Sequence, residues 1–162
     1  MTMKVFDISM CINEDMMVYK NKPKNKPVIK LQRSLLKDGA NETRIGLNVH
    51  TGTHVDAPFH MIQQGDTIEK LDPQKLVTGC KVLDLTGVKA CISEAELLSK
   101  NICKGDFVLF KTTNSNDRVF NPEYVYLNQS GAAYLVSLGA IGVGTDALGI
   151  ERGQAGHELI IF

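Results

Sequence analysis

Three of the four histidines in this 162-residue chain fall within the segment HTGTHVDAPFH, positions 50–60, with an aspartate between the second and the third. Imidazole nitrogen and carboxylate oxygen are ligands that zinc and manganese accept in proteins. His50, His54 and Asp56 are therefore candidate ligands of one divalent metal ion. The competing interpretation is a polar loop whose histidines are solvated or satisfied by ordinary hydrogen bonds.

The residues before this segment predict how its side chains are presented. Apolar side chains alternate with others over residues 43–49, which puts Ile45, Leu47 and Val49 on one face of a strand. This period of two indicates a half-buried strand with its apolar face on the core. If the extended chain continues, the candidate ligands and His60 share the opposite side. A helix would also bring residues four apart together, but the glycine and proline of the segment disfavour it.

The segment resembles the HxGTHxDxPxH signature of the cyclase-type metal-dependent hydrolases, a family that includes bacterial kynurenine formamidase and isatin hydrolase. The likeness extends from the opening VFDIS at residues 5–9 to Gly156-His157. The resemblance implies an α/β fold, with a single mixed-sheet domain of the swivelling β/β/α type.

The resemblance also implies a role for each candidate residue. The three candidate ligands match the positions that hold a first metal ion, and Asp56 can bridge to a second. His60 matches the residue assigned as catalytic acid and base, and His157 matches a histidine that binds the second metal. Tyr19 occupies the place of an aromatic residue that lines the substrate pocket, although simple packing at a strand exit is an equal alternative.

The family pattern continues with a glutamate ligand and closing strands, whereas this sequence ends at Phe162. We therefore expect one domain over residues 1–162 that lacks the family's C-terminal strands, and at most one tightly held metal per chain. Uncovered sheet edges and apolar surface favour association with a second copy. The expected state is a homo-oligomer.

Charge and cysteine content exclude several classes of protein. Lysine plus arginine and aspartate plus glutamate both total 18, so no charge excess favours nucleic acid or an anionic membrane as a partner. The four cysteines form no CxxC pair. Because no signal peptide or membrane-spanning apolar run is visible, we expect a cytoplasmic protein with free thiols and a small-molecule substrate.

The remaining pattern predicts the other elements of a mixed α/β domain. Residues 4–10 predict a first strand with Val5 and Ile8 in the core, and residues 27–33 and 43–49 predict a hairpin. The capping box SEAE at 93–96 predicts a short helix through residue 100, and residues 128–138 a second helix ended by Gly139. Apolar runs at 80–85, 107–111 and 140–144 predict buried strands, the middle one central. Asp146 then either faces a site or caps the next turn.

These observations predict a metal-dependent hydrolase that cleaves a small amide, a formamide such as N-formylkynurenine, or a cyclic amide. The attacking group is a metal-activated water, and His60 delivers a proton to the departing nitrogen. A serine-nucleophile mechanism is disfavoured because no nucleophile-elbow motif is present. The alternative function is a catalytically impaired metal-binding scaffold or oligomer subunit with an incomplete second metal site.

Overall fold

A computed structural model of the protein describes residues 4–152. The chain divides into two compact units, Met1–Val55 and Asp56–Phe162. Within the described range, no helix has the length and apolar character needed to cross a membrane.

The first unit is built on one β-hairpin. Strands β1 (Val28–Arg33) and β2 (Glu42–Gly46) pair antiparallel, and a short helix α1 (Leu35–Asp38) forms the connection between them. Gly39 ends α1 in the left-handed conformation, at φ 76°, a backbone region that glycine adopts without a steric penalty. The predicted hairpin is confirmed.

The predicted first strand is wrong. Residues 4–10 form no strand, and the expected core residues Val5 and Ile8 are 76% and 80% exposed. The Asp7 carboxylate accepts hydrogen bonds from the backbone N–H of Ser9, at 2.9 Å, and from its hydroxyl, at 2.5 Å. Such local side-chain bonds compete with strand pairing, so this segment turns where the apolar alternation had suggested an extended run.

The apolar face of β2 does not lie in a core, and this prediction is also wrong. The strand ends at Gly46 rather than at Val49, which is 79% exposed, and Ile45 and Leu47 are about half exposed. Alternation determines the side of a sheet on which a side chain lies, but not whether another layer covers that side.

The second unit is organised around a parallel sheet. Strands β3 (Cys80–Asp84), β5 (Phe107–Lys111) and β7 (Gly142–Thr145) pair in the order β3-β5-β7, and β4 (Cys91–Ile92) pairs in parallel with β6 (Tyr126–Leu127). The central position predicted for residues 107–111 is confirmed. With an antiparallel hairpin in one unit and parallel strands in the other, the mixed α/β class is confirmed. The single domain over residues 1–162 stays a prediction.

Two helices complete the second unit and close its core. The capping box is present at α2 (Glu94–Leu97), where the Glu96 carboxylate accepts from the Ser93 backbone N–H at 2.8 Å; the helix ends three residues earlier than predicted. Asn128 caps the N-terminus of α3 (Gln129–Leu138), and Gly139 ends it, as predicted. Val108 of β5 and Leu135 of α3 are fully buried in one hydrophobic cluster, so the central strand and this helix contribute to the same core.

Candidate metal centre

The first candidate ligands lie in a turned loop, not in the extended strand that the sequence predicted. The Asn48 side-chain oxygen accepts a hydrogen bond from the backbone N–H of His50 at 2.9 Å. The Asn48 backbone carbonyl accepts one from the backbone N–H of Thr51 at 3.0 Å. Gly52 follows with a φ of 67°. Asparagine and glycine favour such turns because one bonds its own backbone and the other tolerates positive φ. This turn chemistry overrides the alternation of the preceding strand.

The orientation of the His54 ring is fixed by a backbone carbonyl. Its Nδ1 lies 2.8 Å from the carbonyl oxygen of Gly52, which can only accept, so Nδ1 carries the proton. Nε2 therefore keeps its lone pair, the state needed for metal binding. A carbonyl holding the distal nitrogen of a ligand in this way is the usual support of a metal-binding histidine.

The two histidines fit a shared metal ion. Nε2 of His54 lies 3.2 Å from Nδ1 of His50, and the rings are edge to face with centroids 5.1 Å apart. Two nitrogens bound tetrahedrally at the Zn–N distance of about 2.0–2.1 Å lie roughly 3.3 Å apart. The observed separation is close to that value, so the two nitrogens have the spacing of two ligands of one ion.

His60 is presented by a second local structure, the 3-10 turn Pro58–His60. Pro58 begins this turn, where its missing N–H is not needed. The backbone N–H of Phe59 donates to the carbonyl of Asp66 at 3.0 Å, which ties the turn to the following loop. Gly65 makes this close approach possible, because a Cβ there would lie 2.6 Å from the Pro58 carbonyl carbon.

We expect Gly65→Ala to lower the free energy of unfolding by about 1–3 kcal/mol, the usual range for forcing extra atoms into a packed site. The added methyl group meets the backbone of residues 58 and 59, which cannot rotate away as a flexible side chain would. Urea denaturation of the purified protein measures the change. Gly87→Ala is the matched control, since a Cβ at Gly87 meets nothing within 4 Å. An equal effect of both changes would contradict the packing argument.

The division between the two units falls inside the segment, with His50 and His54 in the first unit and Asp56 and His60 in the second. Within the first unit, Nε2 of His54 lies next to Nδ1 of His50. The donor set suits a divalent metal with nitrogen and oxygen ligands. The separate roles of His54 as ligand and His60 as acid and base stay predictions.

The other candidates lie elsewhere in the chain. Tyr19 is 48% exposed in the 3-10 turn Tyr19–Asn21, with the Lys20 ammonium 5.2 Å from its ring centroid, and its substrate role stays a prediction. His157 lies outside the described residues. The Asp146 carboxylate accepts from the backbone N–H of Thr112 at 2.8 Å and from its hydroxyl at 2.7 Å. It therefore joins the carboxyl ends of β5 and β7 instead of capping the next turn, and a role for it in a site stays a prediction.

Sequence reasoning missed three residues around the loop. Thr51 buries a hydroxyl that has no hydrogen-bond partner within residues 4–152, a situation that bound water commonly resolves in proteins. The Thr53 hydroxyl oxygen accepts a hydrogen bond from the backbone N–H of Met10, which lies 43 positions earlier in the chain. Gly65 packs closely against the backbone of residues 58 and 59. No local pattern signals contacts of this kind, because each depends on a distant part of the chain or on tertiary packing.

Comparison with known proteins assigns the family. A family model described as “Putative cyclase” matches residues 6–152. A solved structure of a potential metal-dependent hydrolase with cyclase activity is 44% identical and has a TM-score of 0.86, covering 97% of this chain and 74% of that one. Isatin hydrolase A from Labrenzia aggregata, at 19% identity and a TM-score of 0.81, shares the fold over 94% of this chain and 71% of its own.

A kynurenine formamidase from Bacillus cereus is 28% identical over 112 residues, or 68% of this chain. The matched region spans 53% of that enzyme, about half its length. These relatives favour an enzyme over a metal-binding scaffold without activity. Since the family model covers nearly all of the described residues, the chain belongs to the cyclase family of metal-dependent hydrolases.

Proposed function

We propose that the protein hydrolyses a small amide, a formamide of the N-formylkynurenine type, or a cyclic amide such as isatin, with the aid of a divalent metal. The observation that carries the proposal is the pairing of His54 Nε2 with His50 Nδ1 at 3.2 Å, with Asp56 and His60 in the same segment. The names of the related enzymes supply the amide class of substrate.

The proposed ligands are His50, His54 and Asp56, with His157 as a ligand of any second ion, and zinc and manganese are the metals that suit them. When bound, such an ion polarises a carbonyl oxygen and lowers the pKa of water. The protein's part is to hold the two imidazoles in their metal-binding orientation. For His54 this is achieved by the hydrogen bond to the Gly52 carbonyl.

His60 is the proposed proton carrier. Hydrolysis adds water to the carbonyl carbon and breaks the carbon–nitrogen bond, and the departing nitrogen needs a proton because an amide anion is a poor leaving group. An imidazole with an ordinary pKa near 6.5 can take a proton from the attacking water and return it to that nitrogen at neutral pH. Tyr19 is the proposed contact for an aromatic substrate.

We further propose that the protein is a cytoplasmic homo-oligomer. The proposal of a homo-oligomer is supported by the hairpin of the first unit. Large apolar side chains are exposed on both of its strands and on the connecting helix α1, where Leu36 is 99% exposed. Apolar surface of this kind is uncommon on monomers and usual at interfaces between copies. The exposed set comprises Val28, Leu31, Leu35, Leu36 and Ile45.

One purified sample tests these proposals together. We expect metal analysis to find close to one zinc or manganese ion per chain. We expect turnover of N-formylkynurenine or isatin that is lost when a chelator is added and restored by the metal. We also expect light scattering to give a mass above that of the monomer. Metal without turnover of either substrate would favour the scaffold alternative. A stable monomer would refute the oligomer, and two tightly held ions per chain would refute the single site.

A further inference from the structure

The N-terminal segment, residues 7–12, lies against the loop that carries the two paired histidines. The backbone N–H of Met10 donates to the Thr53 hydroxyl oxygen at 2.8 Å. A Cβ built on Gly52 would lie 3.2 Å from Cγ1 of Ile12 and 3.7 Å from the Met10 carbonyl oxygen. One hydrogen bond to Thr53, together with the close approach of Ile12 to Gly52, therefore links two consecutive residues of the loop to the same short segment.

These contacts are made by the two residues that share the peptide whose carbonyl orients a candidate ligand. The carbonyl that accepts from His54 Nδ1 belongs to Gly52, in the peptide that joins Gly52 to Thr53. A rotation of that peptide, about ψ of Gly52 and φ of Thr53, moves the carbonyl away from the imidazole. Glycine opposes such a rotation with few steric barriers, because it has no Cβ. A contact from another segment to Thr53 therefore helps to hold this peptide in one orientation.

We propose that Thr53 is a positioning residue, and that residues 7–12 act through it as a strap that holds the Gly52–Thr53 peptide and so presents His54 Nε2 to the metal. The inference rests on the proposed metal site and deepens it. The Asp7–Ser9 turn gives the strap its shape, because both hydrogen bonds of Ser9 to the Asp7 carboxylate are local. Thr53 touches neither metal nor substrate in this scheme.

Two substitutions at one position separate the hydroxyl from the rest of the side chain. Thr53→Val keeps the branched shape but removes the acceptor of the Met10 N–H. Thr53→Ser keeps the hydroxyl and loses a methyl group. Thr43→Val is the matched control, because Thr43 is an exposed residue of β2 in the same unit. Ile12→Ala weakens the apolar contact of the strap without changing the loop itself.

Zinc affinity of the metal-free protein, measured by competition with a chelator, is the first readout. We expect Thr53→Val to bind zinc about tenfold more weakly, the lower end of the range for residues that support a ligand. Ile12→Ala should weaken binding in the same direction, and Thr53→Ser and Thr43→Val should stay within about twofold, since neither removes a supporting hydrogen bond. The visible spectrum of the cobalt-substituted protein is the second readout. Of the three threonine variants, only Thr53→Val should change this spectrum.

The possible outcomes separate this inference from the proposed function. Wild-type protein that binds no zinc would overturn the metal site itself. Wild-type binding with an unchanged affinity and cobalt spectrum in Thr53→Val would overturn the strap and leave the metal site standing. Equal losses in Thr53→Val and Thr53→Ser would show that the hydroxyl is not responsible and would also overturn it. If Thr53→Val does not fold, as judged by circular dichroism, Ile12→Ala decides, and wild-type affinity in that variant overturns the strap.

Discussion

Purified His54→Ala protein is expected to contain no tightly held metal and to bind zinc more than about 100-fold more weakly. Removing a residue that only hydrogen-bonds to a metal ligand already costs about 10–100-fold in affinity, and removing a ligand itself should cost more. In the structure, Nε2 of His54 lies 3.2 Å from Nδ1 of His50, and its Nδ1 lies 2.8 Å from the Gly52 carbonyl oxygen. Removing the ring removes one of the two adjacent nitrogens that we propose as ligands, and turnover should fall with the metal. Metal analysis by mass spectrometry and circular dichroism on the same sample measure retention of the ion and of the fold.

Val55→Ala is the control for the His54 experiment. Val55 is the next residue, is 47% exposed and offers no ligand atom, so its truncation should leave the metal in place. Full metal content in His54→Ala would contradict the assignment of His54.

His60→Ala is expected to keep its metal and to lose roughly two to four orders of magnitude in turnover, the range for removing a general acid and base. The reason is chemical: the substitution removes the imidazole that we propose as the carrier of the proton to the departing nitrogen. Steady-state kinetics at saturating metal, with metal content determined in parallel, gives the result. The loss should fall mainly on kcat.

The position of His60 makes the opposite outcome equally informative. An imidazole can bind a metal as well as carry a proton, and His60 lies only four residues after the candidate ligand Asp56. Loss of all metal from His60→Ala would therefore make it a ligand and would leave the proton carrier unassigned. Met61→Ala, at a neighbouring exposed side chain, should change neither metal content nor turnover.

Elements determined by local chemistry could be predicted from the sequence. The capping box at Ser93 and Glu96, the caps of α3 and the apolar run of β5 all depend on residues within a few positions of one another. The failures lie at residues 4–10 and at the face of β2. Apolar side chains alternate in both segments. At residues 4–10 the local hydrogen bond between Ser9 and Asp7 favours a turn over a strand. At β2 the apolar side chains stay about half exposed, because alternation does not determine whether a face is covered.

The candidate site shows the same division. The residue types and spacing of His50, His54, Asp56 and His60 predict a metal centre, and within the first unit the structure places Nε2 of His54 3.2 Å from Nδ1 of His50. Their presentation could not be predicted, because turns at Asn48 and Gly52 replace the extended strand. The contact of Met10 with Thr53 spans 43 residues, a separation at which local patterns carry no information.

All four candidates from His50 to His60 come from one continuous loop-rich segment, and this has a thermodynamic consequence. Loop-closure entropy is small for ligands so near in sequence, so the unfolded chain can also gather them around an ion. A metal that binds both states stabilises the native state by less than its native-state affinity implies. Retained metal is therefore weak evidence that a variant is folded, and thermal stability and metal content have to be measured as separate properties of this protein.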